Sequence, residues 1–206
     1  MGVFYRKFLK RFLDIMVAIT LGIVLIVPLF FVAILVKLTS KGPVFFKQER
    51  FGLNSKPFTL YKFRSMTDGA PIKSNSEFED ITSYVTPFGM FIRKTSIDEL
   101  PQLLNIIKGD MSFIGPRPLA STDENVLVLR KNSGADRVRP GISGLAQVNG
   151  RNKISDEEKA AYDAKYATRV SFKVDILLAL ETIISVAKRD GVFKELSNDS
   201  QEKSVK

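Results

Sequence analysis

The sequence predicts a mostly helical α/β protein in which an N-terminal membrane anchor is attached to one small domain. An uncharged apolar run from Ile15 to Val36 is long enough to cross a bilayer core of roughly 30 Å. Helical periodicity dominates the rest, and 206 residues suffice for one domain beyond an anchor but not for two. We expect an anchor at residues 1–40, a domain at 41–193 and a polar, disordered tail at 194–206.

Both ends of the apolar run carry positive charge, which bears on how it meets the membrane. The basic residues are Arg6, Lys7, Lys10 and Arg11 before the run, and Lys37, Lys41, Lys47 and Arg50 after it. A signal peptide fits poorly, because the run is too long and no small-residue cleavage site follows it. Basic flanks prefer the cytoplasmic side, so a straight span would frustrate one end.

Pro28 lies near the middle of the run and lacks the N–H that an α-helix needs. A helix that breaks there and turns back would leave both basic flanks in the cytoplasm, although the freed backbone groups would need partners within the membrane. We therefore favour a re-entrant helix-break-helix with Pro28 as the membrane break, and retain a crossing helix as the alternative.

The domain begins with an extended segment and continues with short helices. Alternating polar and apolar residues predict a strand from Phe58 to Met66, a polar loop follows from Asp68 to Thr86, and a short helix is expected over Met90–Arg93. Ser96 and Glu99 match a capping box, although Pro101 favours a helix start nearer Asp98.

Two helices are predicted toward the C-terminus. Ser155 and Glu158 form a second capping-box match, which opens a helix through Tyr166. An amphipathic helix follows from Phe172 to Ala187 and should stop near Gly191. Its apolar stripe suits either the protein core or a membrane surface, and the pattern alone does not choose between them.

The composition restricts the chemistry that the chain can perform. It has neither Cys nor His, which excludes disulfides, thiolate nucleophiles, Ser-His and Cys-His pairs and the usual zinc sites. Carboxylates, Lys, Arg, Tyr and hydroxyls remain, with an oxygen-ligated metal such as Mg²⁺, and phosphoryl transfer is compatible with this set. The net charge of +9 favours anionic partners: membrane headgroups, nucleic acid or a phosphorylated substrate.

The adjacent carboxylates Asp98 and Glu99 are the first candidates for chemistry. In the first turn of a helix the dipole favours their ionised forms, which can bind Mg²⁺ or attack phosphorus. Acidic residues are nevertheless common in first turns, and Glu99 also suits a simple capping role.

Candidate anion-binding residues lie in loops. Arginine forks bind phosphate, and Arg117 is held between Pro116 and Pro118, which lowers the entropic cost of binding. Arg93 precedes Asp98 by five residues. The Gly-rich stretch 141–151 offers Gln147, Asn149 and Arg151 to phosphate or sugar oxygens, although it lacks a Walker ending. Solvated surface charge and a structural turn are the alternative explanations.

Five sequence blocks in a consistent order resemble the monotopic polyprenyl-phosphate phosphoglycosyltransferases of the bacterial sugar transferase family. The resemblance extends from about Phe4 to Gly191. The blocks are KRFLDI at Lys10–Ile15, PVFFKQERFG at Pro43–Gly52, YKFRSM at Tyr61–Met66, RKTSIDELPQLLNIIKGDMSFIGPRP at Arg93–Pro118 and RPGISGLAQVNGR at Arg139–Arg151. Long ordered blocks are more specific than any short motif.

The resemblance implies a small cytoplasmic catalytic domain with amphipathic interfacial helices and a two-step transfer. Asp98 would attack the β-phosphate of a UDP-sugar, release UMP and hold a phospho-sugar covalently. Polyprenyl (undecaprenyl) phosphate would then displace Asp98. Glu99 would help to bind Mg²⁺, for which Asp98 and Glu99 are the expected ligands, or activate the acceptor. An N-acetylated hexose is the expected sugar, for capsule, exopolysaccharide, O-antigen or glycoprotein assembly.

The resemblance also implies where the substrates bind. The residues expected to hold phosphates are Arg93, Arg117, Arg151, Lys62 and Arg64, and those expected to contact the nucleotide sugar are Pro116, Pro118, Gln147 and Asn149. The family's anchor breaks at a Ser-Pro pair, whereas this chain has Val27-Pro28, which removes one hydroxyl partner at the break.

Partners and location follow from the same resemblance. We expect membrane lipid as a partner, a homodimer as one oligomeric option, no nucleic acid, and a place in the bacterial inner membrane with the catalytic domain on the cytoplasmic face. Two alternatives from other classes remain, a non-catalytic lipid-binding scaffold and a nucleic-acid binder, and the second lacks a recognisable binding module.

Overall fold

The structure is a computed structural model that describes residues 4–71, 82–150 and 154–187. Its α-helices are α1 (Lys10–Thr39), α2 (Pro87–Lys94), α3 (Leu103–Lys108), α4 (Glu124–Ser133), α5 (Leu145–Val148), α6 (Asp156–Arg169) and α7 (Phe172–Ala187). Its strands are β1 (Phe45–Phe51), β2 (Pro57–Phe63), β3 (Ser112–Ile114) and β4 (Gly141–Ser143). A π-helical turn at Tyr5–Leu9 precedes α1, and 3₁₀ helices lie at Leu53–Ser55, Thr82–Tyr84, Ile97–Gln102 and Ala135–Arg137. The chain is thus mostly helical with two small sheets.

The anchor is one continuous helix that passes through Pro28. The predicted helix-break-helix is therefore wrong at the level of secondary structure. A proline removes one N–H from the hydrogen-bond ladder, and the long runs of apolar helix-forming residues on both sides sustain the remaining bonds. Among the described residues, Tyr5–Thr39 is the one helix that is long and apolar enough to cross a membrane by length and composition.

One face of α1 packs against the rest of the chain along most of its length. Ala18 is fully buried in a cluster with Leu60 of β2 and Ile106 of α3. Val36 is 1% exposed in a second cluster, which it forms with β2 and α2. The opposite face carries large exposed apolar residues: Ile23, Val24, Ile26, Val27, Phe30 and Phe31. The helix therefore has a protein-facing side and a side for an apolar medium.

The predicted strand near Phe58 is confirmed as β2, and it pairs with a second strand that no sequence pattern indicated. β1 and β2 form an antiparallel ribbon in which Phe45 pairs with Phe63 and Phe51 pairs with Pro57. Side chains of a strand alternate between two faces, so this register decides which side chains of β1 and β2 lie together.

The second sheet is a short parallel pair, β3 with β4, in which glycines allow close backbone contact. A Cβ atom on Gly141 would lie 2.1 Å from the backbone nitrogen of Gly115, and one on Gly115 would lie 2.2 Å from the Arg139 carbonyl oxygen. The Gly-rich stretch therefore fixes the loop after β3 against β4.

One of the two predicted capping boxes is confirmed, and the helix expected over Met90–Arg93 begins earlier, at Pro87. Thr86 caps α2 by accepting from the Gly89 N–H, and Ser155 and Glu158 form the predicted capping box of α6. The capping box at Ser96 is wrong, because Ser96 has a left-handed backbone (φ 55°) and its side chain makes no capping bond. The helical turn begins after it, which agrees with a start nearer Asp98.

The amphipathic helix α7 exposes most of its apolar stripe. The exposed members are Phe172, Ile176, Leu177, Leu180, Ile183 and Ile184, whereas Leu178 and Asp175 face the interior. The stripe is therefore surface in the part of the chain that the structure describes, which favours the membrane-surface interpretation over the core one. The expected end near Gly191 and the tail at 194–206 lie outside the described residues.

Candidate active site

The acidic pair lies in a 3₁₀ helix that packs against the β ribbon. The left-handed turn at Ser96 redirects the chain after α2, so that Asp98 and Glu99 fall in the first turn of Ile97–Gln102. Asp98 is only 8% exposed, and Glu99 is half-buried. The sequence therefore predicted the place of the pair in a helix correctly, although not its burial.

Two of the predicted cationic residues, Lys62 and Arg93, lie beside the acidic pair. Lys62 of β2 donates to Glu99, with 2.7 Å between Nζ and Oε1. Arg93, in the last turn of α2, donates from Nε to Ser65 Oγ at 2.8 Å, and its charge acts on Asp98. The structure thus brings together Asp98, Glu99, Lys62 and Arg93 from three separate elements.

Burial changes the acidity of Asp98. Loss of water contact raises the pKa of Asp98 to about 6, with Lys62 and Arg93 opposing this shift and Glu99 adding to it. The carboxylate therefore ionises near neutral pH and is poorly solvated, which is a property of nucleophiles and general bases.

The raised pKa predicts a pH-dependent effect of Asp98→Asn on stability in the cation-free protein. A folded-state pKa above the unfolded one gives stability that is present at low pH and lost as the pH rises through about 6. Asparagine imitates the neutral form, so the variant should gain stability that grows from pH 4.5 to pH 8 and approaches about 3 kcal/mol. Thermal unfolding measured in EDTA checks this, with exposed Glu49→Gln as the control.

A variant that unfolds at the wild-type temperature across the whole pH range would contradict the burial of Asp98. A gain of equal size at all pH values would instead show an effect unrelated to ionisation.

The Pro-Arg-Pro loop lies between β3 and α4. Pro116 and Pro118 are buried, and the Arg117 side chain is exposed. The loop is fixed by Arg130 of α4, which donates from Nη1 to the Arg117 carbonyl oxygen at 2.7 Å. Arg130 is in turn paired with Asp163 of α6, with 2.6 Å between Nη2 and Oδ2. A buried ion pair therefore supports the rigidity that was predicted for this loop.

The remaining predicted residues take local hydrogen bonds. Gln147 donates to the Gly115 carbonyl oxygen at 3.5 Å, and Asn149 donates to the Leu145 carbonyl oxygen at 2.8 Å. Arg64 is buried and donates from Nη2 to the Ser40 carbonyl oxygen at 2.8 Å. None of these hydrogen bonds joins the three residues to Asp98, and the predicted Arg151 lies outside the described residues.

One cation near the pair was not among the predicted site residues. Arg50 of β1 donates from Nη1 to the Pro118 carbonyl oxygen at 3.4 Å, and Glu99 acts on its charge. The segment Lys47–Arg50 is wholly polar, so no alternation of apolar and polar residues marked a strand that would place Arg50 at the site. Arg50 was missed because PVFFKQERFG was not recognised as a strand.

The carboxylate oxygens of Asp98 and Glu99 suit a Mg²⁺ ion that is shared with a phosphate of the substrate. The described residues contain no cluster of three or more Asp, Glu, His or Cys side chains that would form a complete metal cage. Mg²⁺ commonly uses one or two carboxylates together with substrate phosphates and water. Asp98 and Glu99 supply that number, so the residues fit an ion that arrives with a phosphate substrate.

Comparisons with known proteins agree with the resemblance in the motifs. The sequence model of the bacterial sugar transferase family matches residues 5–189. The chain is 46% identical to "Uncharacterized sugar transferase EpsL" of Bacillus subtilis (strain 168), over 89% of this chain and 90% of that protein. It is 36% identical to "Exopolysaccharide production protein ExoY" of Sinorhizobium fredii (strain NBRC 101917 / NGR234), over 89% and 88% of the two chains.

A longer relative carries a more specific name. The chain is 40% identical to the "UDP-N-acetylgalactosamine-undecaprenyl-phosphate N-acetylgalactosaminephosphotransferase" of Aeromonas hydrophila. The match covers 87% of this chain but 44% of that relative. The match therefore spans less than half the length of that larger protein.

Proposed function

Because this chain belongs to the bacterial sugar transferase family, we propose that it transfers a sugar 1-phosphate from a UDP-sugar to polyprenyl phosphate and releases UMP. It is thus a phosphoglycosyltransferase. The observation that carries the proposal is a buried carboxylate, Asp98, whose pKa of about 6 leaves it ionised at neutral pH between Lys62 and Arg93. Such a group can attack phosphorus while the cations hold the phosphate that it attacks.

In the first step, an Asp98 oxygen attacks the β-phosphorus of the UDP-sugar. A bond forms between that oxygen and phosphorus, and the bond from phosphorus to the oxygen of UMP breaks, so that UMP leaves with the electron pair. Lys62 and Arg93 neutralise the charge on the attacked phosphate. The product is an acyl phosphate on Asp98 that carries the sugar.

In the second step, an oxygen of polyprenyl phosphate attacks the same phosphorus. The Asp98 carboxylate leaves, and a polyprenyl diphosphate-linked sugar forms. Glu99, held by Lys62 at 2.7 Å, follows the reacting residue in the chain and activates the acceptor phosphate by taking up its proton. The regenerated carboxylate is ready for the next UDP-sugar.

Mg²⁺ is proposed as the cofactor of this site. When bound, it would neutralise phosphate charge and polarise the bond to UMP. Asp98 and Glu99 are the residues that would hold it, and Lys62 would share Glu99 with it. The carboxylates thus orient the diphosphate, whereas the cationic side chains compensate its remaining charge.

The purified protein should release UMP from a UDP-sugar and pass the sugar phosphate to undecaprenyl phosphate. A panel of UDP-sugars is needed, since relatives are named for glucose and for N-acetylgalactosamine. We propose an N-acetylated hexose as the preferred sugar and expect EDTA to stop UMP release. A protein that binds lipid but releases no UMP from any UDP-sugar would instead be the non-catalytic scaffold.

We propose that α1 enters the membrane from the cytoplasmic side and does not leave on the other side. Both of its ends contact the same domain. Lys10 at its start pairs with Asp175 at 2.6 Å, and Val36 near its end is buried against β2 and α2. A straight helix of 30 residues is about 45 Å long, so a crossing orientation would place one of these contacts beyond the opposite face of the bilayer.

Cysteines placed at the two ends of the helix should react from the same side of the bacterial inner membrane. The chain has no native cysteine, so Phe4→Cys and Thr39→Cys are single labels, and both positions are exposed. A membrane-impermeant maleimide should label both variants in inverted vesicles and neither in right-side-out spheroplasts. Labelling from opposite faces would show that the helix crosses, and detergent-solubilised samples control for reactivity.

A further inference from the structure

We propose that Arg50 and Arg117 form a second anion subsite beside the acidic pair, which binds the α-phosphate of the UDP-sugar, the phosphate that leaves with UMP. The inference rests on the proposed function. It gives Arg50, at the end of β1 next to the Pro-Arg-Pro loop, a role separate from that of Lys62.

The β ribbon directs Arg50 to the same face as Lys62. Phe46 pairs with Lys62 across the ribbon, and Arg50 is an even number of residues from Phe46 on β1. Lys62 reaches Glu99 from this face. The backbones of the two residues lie about 13 Å apart along the ribbon. The charge of Glu99, which Lys62 contacts, also acts on Arg50, so both long side chains serve the same part of the site.

The hydrogen bonds of Arg50 leave its Nε donor without a partner. Nη2 donates to Gln48 Oε1 at 2.6 Å, and Nη1 is 3.4 Å from the Pro118 carbonyl oxygen and 3.8 Å from Asp123 Oδ2. The Nε atom is buried and has no partner. A buried donor of a charged group without an acceptor is costly, and a phosphate oxygen is an acceptor that suits a guanidinium.

A second guanidinium lies close to Arg50. Burial, and then the positive charge of Arg117, lower the pKa of Arg50, whereas Asp123 and Glu99 oppose this effect. Two neighbouring arginines repel each other, and an anion between them replaces that repulsion with attraction. Of the two arginines, Arg117 has the exposed side chain, so it lies on the solvent side, where a substrate would enter.

Each of the two pairs of cationic side chains would bind one phosphate of the UDP-sugar diphosphate. Lys62 and Arg93 act on Asp98, so they belong to the phosphate that Asp98 attacks. Arg50 and Arg117 lie toward the loop of Pro118 and therefore suit the neighbouring phosphate. Negative charge develops on that phosphate as UMP leaves, and cations held there stabilise it more in the transition state than in the bound substrate.

A purely structural role for Arg50 is the competing explanation. Its contact with Pro118, together with the 2.8 Å hydrogen bond from Phe51 N to the Leu119 carbonyl oxygen, ties β1 to the loop. Loss of such a tie would disturb the site as a whole. It would weaken ligands with and without a phosphate to a similar extent.

The test compares UMP with uridine, which lacks the phosphate, by equilibrium dialysis against the full-length protein in detergent and Mg²⁺. In Arg50→Gln we expect the dissociation constant for UMP to rise about 10- to 100-fold, as loss of a charged hydrogen bond predicts. That for uridine should change less than about twofold. Arg50→Lys should recover part of the UMP affinity. The control Lys47→Gln removes a charge from the other face of β1 and should bind both ligands as the wild type does.

An equal loss of UMP and uridine binding, or no loss of either, would overturn the assignment. So would a wild-type protein that binds UMP no more tightly than uridine. UMP release by the wild type, assayed in parallel, reports on the proposed function separately, so that turnover with unchanged UMP binding in Arg50→Gln would reject the subsite alone.

Discussion

Replacement of Asp98 by asparagine should reduce UMP release by on the order of 10³-fold or more, because the amide cannot form the acyl phosphate. Glu99, Lys62 and Arg93 remain in place, so the variant should still bind UDP-sugar. A continuous assay for UMP, with and without undecaprenyl phosphate, measures the loss. With the acceptor the wild type should turn over continuously, whereas without it the wild type should release about one UMP per protein molecule and then stop; Asp98→Asn should release almost none in either case.

Glu49→Gln is the matched control for this variant, since Glu49 is an exposed carboxylate on β1. It should release UMP at the wild-type rate. If Asp98→Asn released UMP as fast as the wild type, another group would be the nucleophile. A wild-type protein that released none would favour the scaffold.

Removal of the Asp163 carboxylate should destabilise the protein by about 3–5 kcal/mol, because it leaves Arg130 charged and buried without its partner. The two side chains are 1% and 7% exposed, and Arg130 Nε and Nη2 lie 2.7 Å and 2.6 Å from Asp163 Oδ2. Asp163→Ala should therefore unfold at a clearly lower temperature in detergent, as followed by circular dichroism.

The double variant Arg130→Met with Asp163→Leu separates the buried charge from the loss of packing. Two apolar side chains of similar size leave no unpaired charge, so most of the stability should return. Its UMP release should nevertheless be lower than that of the wild type, because the Arg117 carbonyl oxygen loses the donor that fixes the Pro-Arg-Pro loop. An Asp163→Ala protein as stable as the wild type would show that the ion pair contributes nothing.

Local signals in the sequence were sufficient for much of the fold. The alternation near Phe58, the capping box at Ser155 and the stripe of α7 each depend on neighbouring residues, and each corresponds to the observed element. The place of Asp98 in a first turn was likewise local, since it followed from Pro101. The family resemblance then supplied the chemistry of the pair.

Features that depend on distant contacts could not be predicted in this way. Pro28 suggested a break, yet the helix continues, and its course is supported by packing at Ala18 and Val36 that joins residues far apart in sequence. The burial of Asp98 and the approach of Arg50 to Pro118 likewise depend on how the ribbon packs. Such contacts determine the pKa of Asp98 and leave the Nε donor of Arg50 without a partner, and neither property can be predicted from neighbouring residues in the sequence.

In the proposed mechanism, Asp98 carries the sugar phosphate as a covalent intermediate. Incubation of the purified protein with its UDP-sugar, in the absence of polyprenyl phosphate, should increase the intact mass by one sugar phosphate, and peptide mapping should place it on Asp98. Addition of undecaprenyl phosphate should restore the original mass. Release of UMP with no change in protein mass, or a modification on Glu99 instead, would contradict the account.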